Sequence, residues 1–411
     1  MAHHRSVKHE DLVASISPEE SLEFLARMIR FQSYSGTPGE SELAHFMVDA
    51  MKQLGLEAFA QPVESGRVNA IGRWRGAGGG KSIMFNGHLD TNPVTEGWTV
   101  DPLGGVYDDR FIYGIGVSNM KSGDAAAFCA VKTLIERGIR LRGDVVLTFV
   151  VGELQGGVGT VKAIDEGARA DYFINGEPTD LAGLTLHAGA FGWVIELTGA
   201  TRHMSKREEA VDALAAAASL VPRINGIAWS GATTAEHALV DRAHVGVIRG
   251  GLSRELHEWR PPQVADFARL LGTARYSPSQ SEASVLADLR RLLDELEREH
   301  PGLRATLALI DAGRRPTMLP FEVSRSARIV DVVSKAYRSV RGSEQAVGAI
   351  RPYCFYGSDA SHLLHRAGME GVVCGPGGRY NTMPDERVDV PDYLDMIKIY
   401  MLAMLDIASG G

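Results

Sequence analysis

The chain has 411 residues, 45% hydrophobic and 23% charged. That is ordinary globular usage, and it excludes disordered, collagen-like and coiled-coil chains. With 43 Lys and Arg against 51 Asp and Glu the formal net charge is −8, so nucleic-acid binding has no electrostatic support. No apolar run approaches the roughly 18 residues of a membrane span. The opening MAHHRSVKHEDLV lacks the apolar stretch of a secretory signal, and the cytoplasm is the expected compartment. Cys129, Cys354 and Cys374 are too few and too scattered for a disulfide framework or a zinc knuckle.

In chain order, Ser17, Pro18 and Glu20 carry the signals of a helix start with a capping box, and Leu22, Leu25, Met28 and Ile29 follow the helical period. A second helix is expected over about 40–54, with Leu43, Phe46, Met47, Ala50 and Leu54 as its stripe and Gly55 as its end. Short apolar runs at 83–85, 145–151, 172–174 and 372–373 read as strands, and 122–136 as a helix between two of them. Continuous apolar runs alternating with helices imply a mostly parallel sheet buried on both faces. From about residue 187 the texture changes. GWVIELTG at 192–199 alternates like a half-exposed strand, a helix is expected over 207–221, and strands are expected at 245–248 and 267–275. A helix with Val285, Leu286, Leu289, Leu292, Leu293 and Leu296 on one face follows, then a strand at 303–310. The layout is that of a small α+β layer. The fold class is therefore α/β: a domain of 1–186 and 313–411 with a mostly parallel central sheet flanked by helices, and an inserted α+β domain at 187–312.

Four loops beyond apolar strands carry the chemistry. Gly87-His88-Leu89-Asp90 places an imidazole and a carboxylate two residues apart, the pattern of a metal ligand and its orienting partner or of a structural pair. The glycine-rich run from Tyr113 to Gly123 precedes a helix, with Ser118 or Asn119 as its expected cap. Its spacing fits neither nucleotide fingerprint. Glu153, in Gly152-Glu153-Leu154, is a general-base candidate or a solvated loop residue. Glu177, in Asn175-Gly176-Glu177-Pro178, is a third strand-tip carboxylate. Three such tips in one domain outweigh any one alone.

In order and spacing these motifs resemble the M20 metallopeptidase and aminoacylase family, which includes acetylornithine deacetylase, succinyl-diaminopimelate desuccinylase and carboxypeptidase G2. The resemblance rests on NGHLDTNPV, the long motif from Trp98 to Gly123, GEP with Thr179, FGWVIELTGATRHMS, GSDASHLL and CGPGG. It implies a catalytic domain with an inserted lid, often a homodimer through the lid. It also implies two metal ions on five ligands, a Glu as general base, a lid His at the scissile carbonyl, and a lid Arg and a Gly-Pro-Gly loop for substrate carboxylates.

Residue by residue, His88 matches the first ligand, Asp90 its orienting carboxylate, Glu153 the base and Glu177 the remaining first-metal ligand. The other ligand positions hold Asn119, Leu154 and Thr382. The family's three ligand carboxylates are reduced to one, and leucine cannot coordinate. The expectation is at most one divalent ion, zinc or manganese, at His88 and Glu177, or a metal-free enzyme. His203 matches the lid His. Arg275 matches the carboxylate-binding Arg. Gly375, Gly377 and Asn119 complete the expected substrate contacts. The reading is a C–N hydrolase of small carboxylate-bearing substrates with Glu153 as acid/base. The alternatives are a metal-independent isomerase, lyase or acyl transferase, and a non-catalytic carboxylate binder.

Overall fold

The computed structural model describes residues 9–64, 66–310 and 315–409. The chain divides into two compact units. The first comprises residues 1–186, 321–353 and 358–411; the second comprises 187–320 with 354–357. The expected boundary at 312/313 lies outside the described residues.

The core of the first unit is an eight-stranded sheet. Its order is Glu57–Glu64, Arg67–Trp74, Val145–Val150, Ile83–His88, Tyr172–Asn175, Glu370–Val373, Gly183–Leu184 and Val347–Gly348. The four strands from Val145–Val150 to Glu370–Val373 are mutually parallel. Every residue of Ile83–His88 and Val145–Val150 is buried, as a sheet covered on both faces requires. The first two strands form an antiparallel hairpin that pairs antiparallel with Val145–Val150. The hairpin is an addition to the expected layout. Helix Pro38–Gln53 packs on it. Helices Ser122–Glu136 and Arg328–Arg341 pack against Val390–Ala408. That last helix buries Tyr393, Met396, Ile397, Ile399, Tyr400 and Met401; apolar nearly all round, it belongs inside. Among the described residues no helix is long and apolar enough to cross a membrane.

The second unit is an antiparallel sheet in the order Arg242–Gly251, Phe267–Tyr276, Gly189–Thr198 and Arg304–Leu309, with helices Ala213–Asn225 and Glu282–Glu299. It has its own core, in which Trp193, Ile195 and Leu197 meet Leu220, Leu289 and Leu293. Trp193 is fully buried because Gly272 leaves room for it: a Cβ there would lie 2.1 Å from the indole.

Local details differ from expectation for identifiable reasons. Ser17 does cap Pro18–Ile29 by accepting from the Glu20 N–H, but the Glu20 carboxylate pairs with Lys132 at 2.7 Å. The helix expected from 207 begins at Ala213. Val211 bridges to Ala200 in extended backbone, and the Asp212 side chain caps the helix at the Ala215 N–H. Residues Met204–Glu209 form only a 3₁₀ turn. Neither Ser118 nor Asn119 caps Ser122–Glu136: the Ser118 hydroxyl accepts from the Gly378 N–H at 2.9 Å.

One buried ion pair links hairpin, helix and loop. Arg67 donates to both oxygens of Glu40 at 2.6 and 2.8 Å, to Glu64 at 2.6 Å and to the Gln155 side chain at 2.7 Å. Glu40 is completely buried. Arg67→Met strands that carboxylate and is expected to cost about 3–5 kcal/mol, read as a lowered urea midpoint. The double variant Arg67→Met/Glu40→Met recovers most of the loss.

Candidate active site

Three adjacent parallel strands deliver the site. Ile83–His88 ends on His88 and runs on to Asp90. Val145–Val150 leads through Gly152, at φ 74°, into a 3₁₀ turn that starts at Glu153. Tyr172–Asn175 leads to Glu177. Neighbouring strands of one direction end side by side, so their loops converge at the carboxyl edge of the sheet. His88, Glu153 and Glu177 offer ligand atoms that all lie within 4.8 Å of one another. All three residues are buried.

The imidazole is held from one side. His88 Nδ1 lies 2.8 Å from the Asp90 carbonyl and 3.5 Å from its carboxylate. The Asp90 carboxylate accepts from the Glu153 N–H at 3.1 Å, the Leu154 N–H at 3.2 Å and the Ser35 hydroxyl at 2.8 Å. Its pKa stays below the ordinary value: burial pushes it up, and His88 and these donors outweigh burial. On the other side His88 Nε2 faces three oxygens, Asn119 Oδ1 at 3.0 Å, Glu177 at 3.4 Å and Glu153 at 3.9 Å. An imidazole with acceptors on both sides is either doubly protonated or shares a cation with those oxygens. Burial lowers the His88 pKa, but the carboxylates of Glu177 and Asp90 carry it well above the usual value. Burial drives the Glu153 carboxyl well up, against His88 and helped by neighbouring carboxylates. A poised, raised carboxyl is what general acid/base work needs.

This donor set fits one divalent cation, an imidazole nitrogen, two carboxylates and an amide oxygen, and its His88 and Asn119 also line a pocket. The pocket is lined by His88, Asp90, Asn119, Leu154, Thr382 and Glu386, among others. Of the positions expected to hold a second ion, Asn119 offers an oxygen, Thr382 a hydroxyl and Leu154 nothing.

His203 and Arg275 belong to the second unit. His203 caps a 3₁₀ turn, its Nδ1 accepting from the Ser205 N–H at 3.2 Å. The neutral ring therefore carries its proton on Nε2. Arg275 sits in Phe267–Tyr276, paired with Arg242 and Ala190. The Gly375 N–H, expected to meet an anion, donates to the Thr179 hydroxyl at 3.2 Å. Gly375 thus shapes its loop, and in this structure its N–H is committed to that bond. Gly377 has φ 75°, and its carbonyl accepts from the Asp180 N–H at 2.6 Å.

Several site residues were not picked out from sequence. Glu386 accepts from the Ser118 and Asn119 N–H groups at 2.8 and 3.2 Å, fixing the Asn119 backbone; burial pushes its carboxyl up to about 7. Asp124 lies behind the His88 strand. A Cβ on Gly87 would come 2.0 Å from its Oδ1, so a side chain at residue 87 would have to displace that carboxylate. Asp359 accepts from the Thr160 hydroxyl at 2.8 Å, and burial pushes it up to about 7. The glycines around Glu153 were the available signal for Asp359: a Cβ on Gly157 would lie 2.4 Å from its Oδ1.

Two outcomes test this geometry. Asp90→Asn keeps the shape but removes the charge that orients His88, and activity is expected to fall about 10- to 100-fold in steady-state assays, with little change in the far-ultraviolet spectrum. A carboxyl whose folded pKa is raised to about 7 contributes stability below its unfolded pKa, near 4, and loses it as pH rises through about 7. Asp359→Asn can still accept from Thr160. It is expected to melt about 2–4 °C above the parent at pH 8 and level with it near pH 4.5.

Residues 84–406 match peptidase family M20/M25/M40. N-formyl-4-amino-5-aminomethyl-2-methylpyrimidine deformylase of Bacillus subtilis (strain 168) is 24% identical over 404 residues, 93% of each chain. Succinyl-diaminopimelate desuccinylase of Nitrosomonas eutropha is 26% identical over 381 residues, 90% of this chain and 93% of that one. A tripeptidase from Staphylococcus aureus shares the fold with a TM-score of 0.77 at 19% identity, over 96% of this chain and 99% of that one. The chain belongs to peptidase family M20/M25/M40 and is an amidohydrolase of that type.

Proposed function

We propose that this hydrolase cleaves the C–N bond of a small carboxylate-bearing substrate with Glu153 as general acid/base and at most one metal ion, zinc or manganese. The observation that carries the reading is the convergence of His88, Glu153 and Glu177 within 4.8 Å, beside an Asn119 oxygen 3.0 Å from His88 Nε2. His88 and Glu177 would hold the ion, with Asn119 contributing its amide oxygen or contacting substrate. Such a cation supplies Lewis-acid polarisation of the scissile carbonyl and lowers the pKa of a water. Glu153 takes a proton from the attacking water and returns it to the leaving nitrogen; burial keeps its proton affinity high enough for both steps. Asp90 keeps the His88 ring in place.

The second unit is proposed as the lid and dimerisation domain. In support, its edge strand Arg242–Gly251 leaves Val247 and Ile248 41% and 43% exposed, an edge that a second copy would cover. In this reading His203 offers its Nε2–H to the developing oxyanion. Arg275 and the Gly375–Gly377 loop hold the substrate carboxylate, the loop with the Gly375 N–H already bound to Thr179. A cytoplasmic setting accords with Cys129 and Cys374, buried thiols outside any disulfide. No observation favours the metal-independent or non-catalytic alternatives.

Glu153→Gln is expected to lower kcat about 10²- to 10⁴-fold while calorimetry still detects substrate binding; intact turnover rules out Glu153 as acid/base. Protein purified without a His-tag is expected to hold no more than one ion per chain by elemental analysis, lost in His88→Ala. Two ions per chain overturn the single-ion reading.

A further inference from the structure

Away from the catalytic edge, three helices of the first unit leave a groove between them. Pro18–Ile29, Pro38–Gln53 and Ser122–Glu136 line a space of about 1040 Å³, the size of a large small-molecule site. It shares no lining residue with the pocket beside His88. Its apolar lining is Phe24, Phe46, Ala50, Leu54 and Phe128. The three rings form a row. Phe24 stacks on Phe128 with centroids 4.3 Å apart and planes 11° apart, and on Phe46 at 5.6 Å and 30°. Phe128 is buried, but Phe24 and Phe46 are only half-buried. Their hydrocarbon stays in contact with water, and a planar apolar group laid on the row would cover it.

The charges around the groove select further. Lys132 is engaged by Glu20 at 2.7 Å and Glu136 at 2.9 Å, and Glu23 by Arg30 at 2.8 Å. Four lining charges make no ion pair among the described residues: Glu19, Arg27, Asp49 and Arg137. They are two of each sign. An ion of one sign is therefore attracted by two of them and opposed by the other two, whereas a ligand carrying both charges finds a partner for each. Arg27 and Asp49 are placed for this on either side of one ring. The Arg27 guanidinium carbon lies 4.8 Å from the Phe46 centroid, and Asp49 follows Phe46 by one turn on the same helix face. A guanidinium takes a carboxylate through paired N–H donors, and a carboxylate accepts from an ammonium.

The geometry points to a second ligand site in this groove, for a zwitterion with an aromatic body. That class is the free amino acids with aromatic side chains. The ring lies on Phe24 and Phe46, the carboxylate meets Arg27 and the ammonium meets Asp49. No bond is made or broken here, and the site stands independently of the hydrolase reading.

The test measures binding to the full chain by calorimetry, without turnover. The probes are L-phenylalanine, phenethylamine (no carboxylate), phenylpropanoate (no amine) and L-alanine (no ring). L-Phenylalanine is expected to bind at least about threefold tighter than either singly charged probe and about tenfold tighter than L-alanine. Arg27→Gln weakens L-phenylalanine about threefold and leaves phenethylamine unchanged; Asp49→Asn weakens it as much and leaves phenylpropanoate unchanged. Both side chains are exposed, so neither change disturbs the core. His88→Ala leaves L-phenylalanine binding unchanged. Three results overturn the proposal: no saturable binding of L-phenylalanine, an affinity equalled by either singly charged probe, or binding that is lost in His88→Ala and kept in both Arg27→Gln and Asp49→Asn. The last of these puts the amino acid at the catalytic edge instead.

Discussion

The site depends on one buried carboxylate. Asp90 is fully buried, which would be prohibitively costly for an unpaired charge. It is tolerated because a hydroxyl, two backbone N–H groups and an imidazole converge on it. These contacts come from the Ser35 loop, the turn after Val145–Val150 and the end of Ile83–His88. The charge that must be satisfied is thus also the clamp that sets the position of Glu153 relative to His88. With Nδ1 directed at Asp90, the other nitrogen is left facing Asn119, Glu153 and Glu177. The orientation of the reactive groups follows from hydrogen-bond bookkeeping two bonds away from them.

What was legible in the sequence was local. The runs that became Ile83–His88, Val145–Val150 and Tyr172–Asn175 are continuous apolar strands, and the residues directly beyond their ends are the ones that converge. Ser122–Glu136 was legible to the residue. The hairpin Glu57–Trp74 was not, because its burial alternates irregularly and Pro62 interrupts it. The late start of Ala213–Asn225 was hidden because the pull on Val211 comes from Ala200, a contact no local period reports. Glu386 was not picked out. Its work, holding the amides of Ser118 and Asn119, spans most of the chain. Asp359 and Asp124 escaped for the same reason: their meaning lies in Gly157 and Gly87 across the fold.

The second unit shows how far one motif can be read two ways. His203 is both the residue the family pattern marks and the cap of a short turn. The two roles use different nitrogens. Capping through Nδ1 leaves the proton on Nε2, so the structural duty and the proposed oxyanion contact do not compete for one nitrogen. Gly375 is the opposite case. The bond that shapes its loop, to the Thr179 hydroxyl, engages the same N–H that an anion would meet.

The sheet of the first unit is closed in its middle by residues from near the end of the chain. Glu370–Val373 lies between Tyr172–Asn175 and Gly183–Leu184. As the protein leaves the ribosome, Tyr172–Asn175 therefore emerges with one edge open, and the whole second unit is synthesised before the missing strand arrives. The inserted unit, with its own core, can complete itself during that interval, whereas the unit that began first must finish last. Glu386 and the Val390–Ala408 helix arrive later still, so the loop bearing Asn119 acquires its anchor only after every strand of the eight-stranded sheet has been made.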